Sequence, residues 1–255
     1  MEDLFRIKGK NIVITGGAGV LGGEMSRAFA RRGARLCLLD YNVRRANQVC
    51  KEIEAEGHIA IPIQSDVLDK NKLQEACACA LESLGAIDVL INAAGGNLKE
   101  ATCSAPTSFF ELPADALHDV FNLNCLGTFL PCQVFGRYMA QQNQGVIINI
   151  ASMNAFRPLT NVAAYMAQRH SPHIRVNAVA PGFFLTKQNR FLLFDEKTGA
   201  LTPRGQTILD HTPMGRLGDP KDLIGPLIWL MSDAAQFVTG IIVPIDGGFS
   251  AFSGV

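Results

Sequence analysis

The stretch ITGGAGVLGGEMSRAFARRG, residues 14–33, decides the fold class. It predicts the end of an apolar strand, a glycine-rich turn and a helix, and Gly17, Gly19 and Gly22 have the spacing G-x-G-x-x-G. Glycines at these positions let backbone N–H groups and a helix N-terminus approach a pyrophosphate closely. The spacing alone is weak evidence, but its place after the first strand is the context that a dinucleotide site requires.

An acidic residue about 20 residues beyond the turn is the second part of this signature. Asp40 ends the next apolar run, RLCLLD at 35–40. Its carboxylate is suited to accept both hydroxyls of an adenosine ribose and to repel a 2'-phosphate, so we predict NAD as the cofactor, with NADP less favoured. Arg44 and Arg45 are the counter-argument, and we interpret both as part of a solvated helix face.

Short, nearly continuous apolar runs alternate with helical segments along the chain. They cover residues 11–15, 35–40, 59–66, 87–95, 145–152, 174–182 and 240–248. Such strands are buried on both faces, and helices between them imply right-handed crossovers. We therefore predict an α/β fold, a Rossmann-type doubly wound parallel sheet of about seven strands, in a single domain over residues 1–255. Residues 183–218 are longer than an ordinary connection, and we predict that they form a substrate loop or lid.

Composition narrows the class of partner. Basic and acidic residues balance at 23 each and no basic run is present, so we predict a small-molecule substrate and no nucleic-acid partner. The longest apolar segment, LIGPLIWLM at 223–231, is too short to span a bilayer, which predicts no membrane association and a cytoplasmic location. The 7 cysteines and 5 histidines show no metal spacing, so we predict reduced thiols and no metal site.

Several motifs in a fixed order resemble those of the short-chain dehydrogenase/reductase family, over essentially the whole chain. They are Thr15-Gly16 with Gly22, Asp66-Val67, NAAG at 92–95, NCLG at 124–127, Ser152, Tyr165, Pro181-Gly182 with Thr186, and DGG at 246–248. One departure is Val20, which stands where the common T-G-x-x-x-G-x-G pattern has its middle glycine. We expect Gly17 and Gly19 to compensate within the turn.

The resemblance implies a role for each matched residue. Tyr165 would be the general acid/base during hydride transfer, Ser152 would hydrogen-bond the substrate oxygen, and Asn124 would hold a water in the proton relay. A homodimer or homotetramer is also implied, in which the helix at 113–141 pairs with the helix after the tyrosine. The implied cofactor-binding residues are Gly16, Gly17, Gly19, Val20, Leu21, Asp40, Asp66, Val67, Asn92, Ala93, Ala94, Gly95, Pro181, Gly182 and Thr186.

A closer likeness is to the D-mannonate oxidoreductase, or fructuronate reductase, branch. It rests on GGNLKEAT (95–102), SMNAFRPLT (152–160), PGFFLTKQNRFLL (181–193) and the ending GGFSAFSGV (247–255). A sugar acid needs a cation for its carboxylate. The candidate substrate-binding residues are Asn154, Arg157, Lys187 and Arg190, with Lys99 as a further cation.

The segment after Tyr165 departs from the family. In the family, a lysine four residues beyond the tyrosine binds the nicotinamide ribose and lowers the tyrosine pKa. In this chain the corresponding residue is Arg169. The planar guanidinium of arginine does not replace a compact ammonium. The next strand begins at Ile174, only nine residues after Tyr165, and nine helical residues rise about 14 Å against about 23 Å for a seven-residue strand. The helix after Tyr165 is therefore shortened or missing.

Two interpretations of this shortening lead to different functions. Because the motifs on both sides are undamaged, we predict that the working enzyme has more residues between Asn161 and His173, including the lysine. It would be an NAD-dependent oxidoreductase that transfers a hydride between nicotinamide and a secondary alcohol or ketone, in a sugar acid such as D-mannonate or D-fructuronate. A real deletion would favour a catalytically inactive NAD-binding protein. An acyl-carrier reductase is a third possibility, but it predicts a less polar loop than TKQNR at 186–190.

Overall fold

The computed structural model describes residues 4–102, 111–152, 174–186, 190–195 and 198–251. Within these residues, seven parallel strands form one sheet in the order β3-β2-β1-β4-β5-β6-β7. The strands are β1 Asn11–Thr15, β2 Arg35–Asp40, β3 Ala60–Gln64, β4 Val89–Asn92, β5 Gly145–Ile150, β6 Ile174–Pro181 and β7 Ile242–Ile245. The predicted doubly wound sheet is confirmed. Its order reverses between β1 and β4, where α/β proteins bind their ligands.

Helices connect the strands in this part of the chain. They are α1 Val20–Ala30, α2 Val43–Ala55, α3 Lys70–Leu84, α4 Ala114–Phe121, α5 Gly127–Gln141, α6 Arg190–Leu193, α7 Pro203–Asp210 and α8 Ile224–Met231. A π-helical turn at Asn122–Leu126 joins α4 to α5, and 3-10 turns cover Lys99–Ala101, Pro220–Leu223, Asp233–Ala235 and Phe249–Ala251. No helix among the described residues is long and apolar enough to cross a membrane.

Two apolar clusters, one on each face of the sheet, explain why the strands are almost continuously apolar. Successive residues of β1 alternate between them: Ile12 and Ile14 pack with Phe29 of α1, and Val13 packs with Phe135 of α5. All five side chains are fully buried. Each contributes about 1.5 to 3 kcal/mol through burial, so the packed sheet forms a stable base for the residues at its carboxyl ends.

Residues 183–218 leave the carboxyl end of β6 and contain α6 and α7. A single bridge between Phe194 and Leu201 closes the loop between these two helices, and a second between Phe184 and Gly218 joins the two ends of the segment. The segment predicted as a substrate loop is therefore partly helical and returns to its own starting point.

Most cysteine side chains of the described residues lie in the interior. Burial raises the pKa of the Cys37 thiol to about 12, so this thiol stays neutral and a poor nucleophile. The prediction of reduced core thiols fits Cys37, Cys50, Cys77 and Cys132, but Cys79 is exposed and Cys125 half-buried. Cys103 lies outside the described residues.

Candidate active site

The glycine-rich turn lies between β1 and α1, where the strand order reverses. Gly16 has a φ of +63°, which residues with a side chain rarely adopt. A Cβ added there would lie 2.9 Å from the backbone of Ala94. A Cβ added to Gly22 would clash with the carbonyl oxygen of Gly16. The Thr15 hydroxyl accepts hydrogen bonds from the N–H groups of Ala93 and Ala94, at 3.2 and 3.1 Å. The turn is therefore packed directly against the loop that follows β4.

The N-terminus of α1 has the chemistry of an anion site. Its N-cap residue is Gly19, and among the described residues no side chain caps this end and no acidic residue lies in the first turn. The N-termini of α2 and α3, in contrast, are capped by Asn42 and Asp69. The first-turn N–H groups of a helix have no intrahelical acceptor and carry partial positive charge. The turn and helix together therefore fit a dinucleotide pyrophosphate.

Asp40 lies half-buried at the end of β2, beside the turn. Its Oδ2 accepts a hydrogen bond from the Ala18 N–H at 3.1 Å, and its Oδ1 accepts one from the Asn42 N–H at 2.9 Å. Each carboxylate oxygen accepts more than one hydrogen bond. The carboxylate is therefore held in place by the backbone and keeps acceptor capacity for a ribose.

Arg45 is exposed, as its interpretation as part of a solvated helix face predicts, and it also reaches the turn. Its Nη2 donates to the Ala18 carbonyl at 2.9 Å. The cause lies in the start of α2: Asn42 caps the Arg45 N–H at 3.2 Å, which puts Arg45 in the first turn, and helical side chains lean toward the N-terminus. The Arg44 side chain is exposed and makes no hydrogen bond or ion pair with another described residue.

Asp66 and Val67 follow β3, at the same edge of the sheet as Asp40. The Asp66 Oδ1 accepts from the Leu68 N–H at 2.9 Å and holds this corner of the chain. Val67 is buried and packs so closely on Gly127 that a Cβ there would lie 2.9 Å from its Cγ2. Val67, an implied cofactor-binding residue, is thus in contact with the first residue of α5.

Asn124 lies in the π-helical turn that interrupts the helix predicted at 113–141. Its side-chain Oδ1 accepts from the Gly96 N–H at 3.0 Å, and its Nδ2 donates to the Gly96 carbonyl at 2.7 Å. A Cβ on Gly95 would lie 2.8 Å from the same Oδ1. Turns of this kind are frequent at functional sites. The side chain binds the loop after β4, and its relay role stays a prediction.

A buried polar cluster below this loop was missed by the sequence analysis. Asn92 ends β4 and is 1 % exposed. Its Nδ2 donates to Asn149 Oδ1 at 2.9 Å and to Cys132 Sγ at 3.2 Å, and its Oδ1 has no partner among the described residues. Sequence spacing carries no signal for this cluster, because Asn92 and Asn149 become neighbours only through the parallel register of strands that lie 57 residues apart. The cluster ties the carboxyl ends of β4 and β5 to α5.

The exit of β6 is held by the loop after β7. A Cβ on Gly182 would lie 2.7 Å from Asp246. Burial alone would raise the pKa of Asp246, but hydrogen bonds from Ser250 and the Gly248 N–H outweigh it and lower this pKa. A cavity of about 340 Å³ opens beside this contact, and its cation, Arg216, is paired with Asp222 at 2.7 Å. The described residues that line the cavity therefore offer no unpaired cation to a carboxylate.

The structure brings the glycine turn, Asp40, Asp66-Val67, residues 92–95 and Asn124 together at the carboxyl ends of β1 to β4. Ser152 lies two residues beyond β5 and is half-buried. Arg190 begins α6, with its guanidinium 5.5 Å from the Phe194 ring centroid, and Lys99 begins a 3-10 turn. The predicted residues outside the described part of the chain are Asn154, Arg157, Tyr165, Arg169 and Lys187. The shortened segment between Asn161 and His173 lies outside it too.

Comparisons with known proteins agree with this geometry. Residues 10–196 match the family model for short chain dehydrogenases. The chain is 42% identical to an uncharacterised oxidoreductase of Bacillus subtilis, with 98% of each chain covered. It is 31% identical to the 5-keto-D-gluconate 5-reductase of Escherichia coli, with 97% of this chain and 98% of the relative covered. A crystal structure from Haemophilus influenza, described as a candidate D-mannonate oxidoreductase with bound NAD, has a TM-score of 0.90 and 38% identity over 98% of each chain.

The alignment with the Bacillus subtilis relative also bears on chain length. It spans 272 positions, whereas this chain has 255 residues. At least 17 positions, the difference between 272 and 255, therefore carry no residue of this chain. The relative is thus longer than this chain somewhere within the matched region.

Proposed function

Because the chain belongs to the short-chain dehydrogenase family, we propose that it is an NAD-dependent oxidoreductase that interconverts a secondary alcohol and a ketone in a sugar acid, with D-mannonate and D-fructuronate as the first pair to test. The proposal rests on one observation. The N-terminus of α1, which follows the glycine turn, has no side-chain cap among the described residues, and the Asp40 carboxylate is fixed beside it. The likenesses to a candidate D-mannonate oxidoreductase and to a 5-keto-D-gluconate reductase support the substrate class.

Residues of this chain would divide the catalytic work. The bound nicotinamide supplies the hydride acceptor or donor. The Ser152 hydroxyl would orient the substrate oxygen. The Tyr165 hydroxyl would exchange a proton with that oxygen while the C–H bond of the carbon that carries it is made or broken. Asn124 fixes the loop after β4 through Gly96, which would keep residues 92–95 against the cofactor.

The working enzyme, we further propose, carries additional residues between Asn161 and His173. This is supported by the alignment with the Bacillus subtilis relative, in which some positions carry a residue of the relative and none of this chain. The added residues would bring the lysine that Arg169 does not replace. An intact mass near 27.5 kDa for the protein isolated from its natural source would contradict the proposal and favour the inactive protein.

The chain is expected to bind NADH about tenfold more tightly than NADPH, because the Asp40 carboxylate repels a 2'-phosphate. Asp40→Asn should narrow this ratio. Asp88→Asn is the matched control, since Asp88 precedes β4 at the opposite, amino end of the strands and also accepts a hydrogen bond from a backbone N–H, that of Asn11. Equilibrium titration of both reduced cofactors measures the ratio, and tighter NADPH binding by the unmodified chain would reject the NAD assignment.

Arg190 is the described cation that we propose for the substrate carboxylate. No carboxylate of the described residues lies within ion-pair distance of the Arg190 guanidinium. The backbone N–H of Arg190 donates a hydrogen bond to the carbonyl of Thr186, which is a predicted cofactor contact. Arg190→Ala should raise KM for the sugar acid about tenfold and leave kcat and the KM of a neutral sugar alcohol unchanged. Arg204→Ala on α7 is the control, because that arginine is also exposed. Equal KM values in the two variants would place the carboxylate elsewhere.

We propose that residues 1–255 form one domain in which 183–218 closes over the substrate, and that the chain assembles as a homodimer or homotetramer. Exposed Leu117 and Phe121 on α4 are consistent with a covered face. Sedimentation showing only monomer at micromolar concentration would rule the assembly out.

A further inference from the structure

A closed triangle of hydrogen bonds joins the carboxyl ends of β4 and β5 to α5. The Asn92 Nδ2 donates to Asn149 Oδ1 at 2.9 Å and to Cys132 Sγ at 3.2 Å. The Cys132 thiol in turn donates a long hydrogen bond to the same Asn149 oxygen, at 3.8 Å. Cys132 is the corner of the triangle that belongs to α5, so this thiol ties the helix to both strands.

Burial keeps the Cys132 thiol in the protonation state that both contacts need. It raises the pKa of Cys132 to about 12, and the hydrogen bond from Asn92 offsets only part of the rise. A neutral thiol is a weak acceptor and a weak donor at once. The Asn92 amide is held through its nitrogen alone, because its Oδ1 has no partner among the described residues. Loss of the thiol would therefore leave a buried N–H of Asn92 without its acceptor, which is costly in an interior.

The two asparagines lie next to two parts of the proposed active site. Asn92 is the first residue of the loop after β4, and Asn149 precedes Ser152 by three residues. Pairing between β5 and β6 continues beyond Asn149, because the Ala151 N–H donates to the Val179 carbonyl at 2.8 Å. Three residues of extended chain span only about 10 Å. A displacement of Asn149 is therefore transmitted along the strand to Ser152.

We propose that Cys132 is a positioning residue for hydride transfer: by holding Asn149 it keeps Ser152 at a fixed distance from the loop after β4, which would line the cofactor. The inference rests on the proposed function, because it requires Ser152 to orient the substrate oxygen. Cys132 acts through its neighbours and touches neither reactant, since it is only 8 % exposed. Its contribution is to the rate of the chemical step, whereas the residues proposed to bind cofactor and substrate lie elsewhere.

Replacement of Cys132 by alanine and by serine separates hydrogen bonding from packing, because these two side chains differ only by one hydroxyl. Cys132→Ala should lower kcat for NAD reduction with D-mannonate about fivefold, the effect of one net hydrogen bond. KM for D-mannonate and the dissociation constant for NADH should each change less than about twofold. Cys132→Ser should keep kcat within about twofold of the unmodified chain, because a hydroxyl also donates and accepts.

Amide hydrogen exchange of the protein without cofactor gives a second readout that does not depend on turnover. Exchange in the segment 145–152 should be faster in Cys132→Ala than in Cys132→Ser, because only the alanine variant removes a support from the end of β5. Cys77→Ala is the matched control. Cys77 is another buried thiol in the apolar cluster that contains Cys132, but it makes no hydrogen bond with another described residue. Its alanine variant should change neither kcat nor the exchange of this segment.

Every other pattern overturns the inference. Equal losses of kcat in Cys132→Ala and Cys132→Ser would show that the side chain only fills space. An unchanged kcat in Cys132→Ala would show that the triangle is not coupled to Ser152, and a loss of NADH affinity that matches the loss of kcat would place the effect at the loop after β4. In these three cases the unmodified chain still transfers a hydride and the proposed function stands. An unmodified chain that transfers no hydride with any sugar acid would remove the proposed function, and the inference with it.

Discussion

Replacing Tyr165 with phenylalanine is expected to lower turnover of the sugar acid by a factor of about 10² to 10⁴, the usual contribution of a positioned acid or base. In the proposed mechanism this hydroxyl exchanges a proton with the substrate oxygen, and phenylalanine removes it with little change in shape. The dissociation constant for NADH should change less than about twofold, because the proposed cofactor contacts are at the glycine turn and Asp40. Steady-state rates and a cofactor titration on the same preparation separate the two effects.

Tyr138→Phe is the control for this prediction. Tyr138 lies on α5 and packs against the buried cluster on the far side of the sheet from α1, so loss of its hydroxyl should leave turnover unchanged. A Tyr165→Phe variant that works at the wild-type rate would show that Tyr165 is a packing residue and that the proposed mechanism is wrong.

Replacing Gly22 with alanine is expected to cost about 3 kcal/mol of the free energy of unfolding and to weaken NADH binding more than tenfold. The new Cβ would clash with the carbonyl oxygen of Gly16. That carbonyl belongs to the turn itself, whose Gly16 is already confined between β1 and Ala94. Relief of the clash would therefore move the backbone that we propose binds the pyrophosphate.

Gly225→Ala provides the matched comparison. Gly225 is also the first glycine of a helix, but it is exposed on α8 and a Cβ there would meet nothing within 4 Å. Alanine there should change the free energy of unfolding by less than about 1 kcal/mol, because Gly225 lies in the first turn and directly before Pro226. Urea unfolding and NADH titration of both variants give the measurement, and similar behaviour of the two would contradict the close packing of α1 on the turn.

The fold and the close packing of the glycine-rich turn could be predicted because they depend on local pattern. Continuous apolar runs follow from burial on both faces, and the turn from Gly16 to Gly22 has a steric cause that acts over a few residues. Asp40 also followed from position, since parallel strands present their carboxyl ends at one edge of the sheet.

The remaining parts of the site depend on contacts between distant segments, which spacing does not encode. Arg45 reaches Ala18 only because Asn42 sets where α2 begins, and Asn124 binds Gly96 across 28 residues of sequence. The π-helical turn that aims Asn124 has no composition signal of its own. The catalytic assignments at Tyr165 and the substrate contacts at Asn154, Arg157 and Lys187 lie outside the described residues and rest on the family resemblance.

We propose that this protein transfers a hydride between NAD and a sugar acid. The most direct test is the formation of NADH by the purified protein with NAD and D-mannonate, followed by absorbance beside a titration of NADH binding. We expect NADH formation that requires both reactants and is lost in Tyr165→Phe. Tight NADH binding with no turnover of D-mannonate, D-fructuronate or any other sugar acid would rule the proposal out and favour an inactive NAD-binding protein.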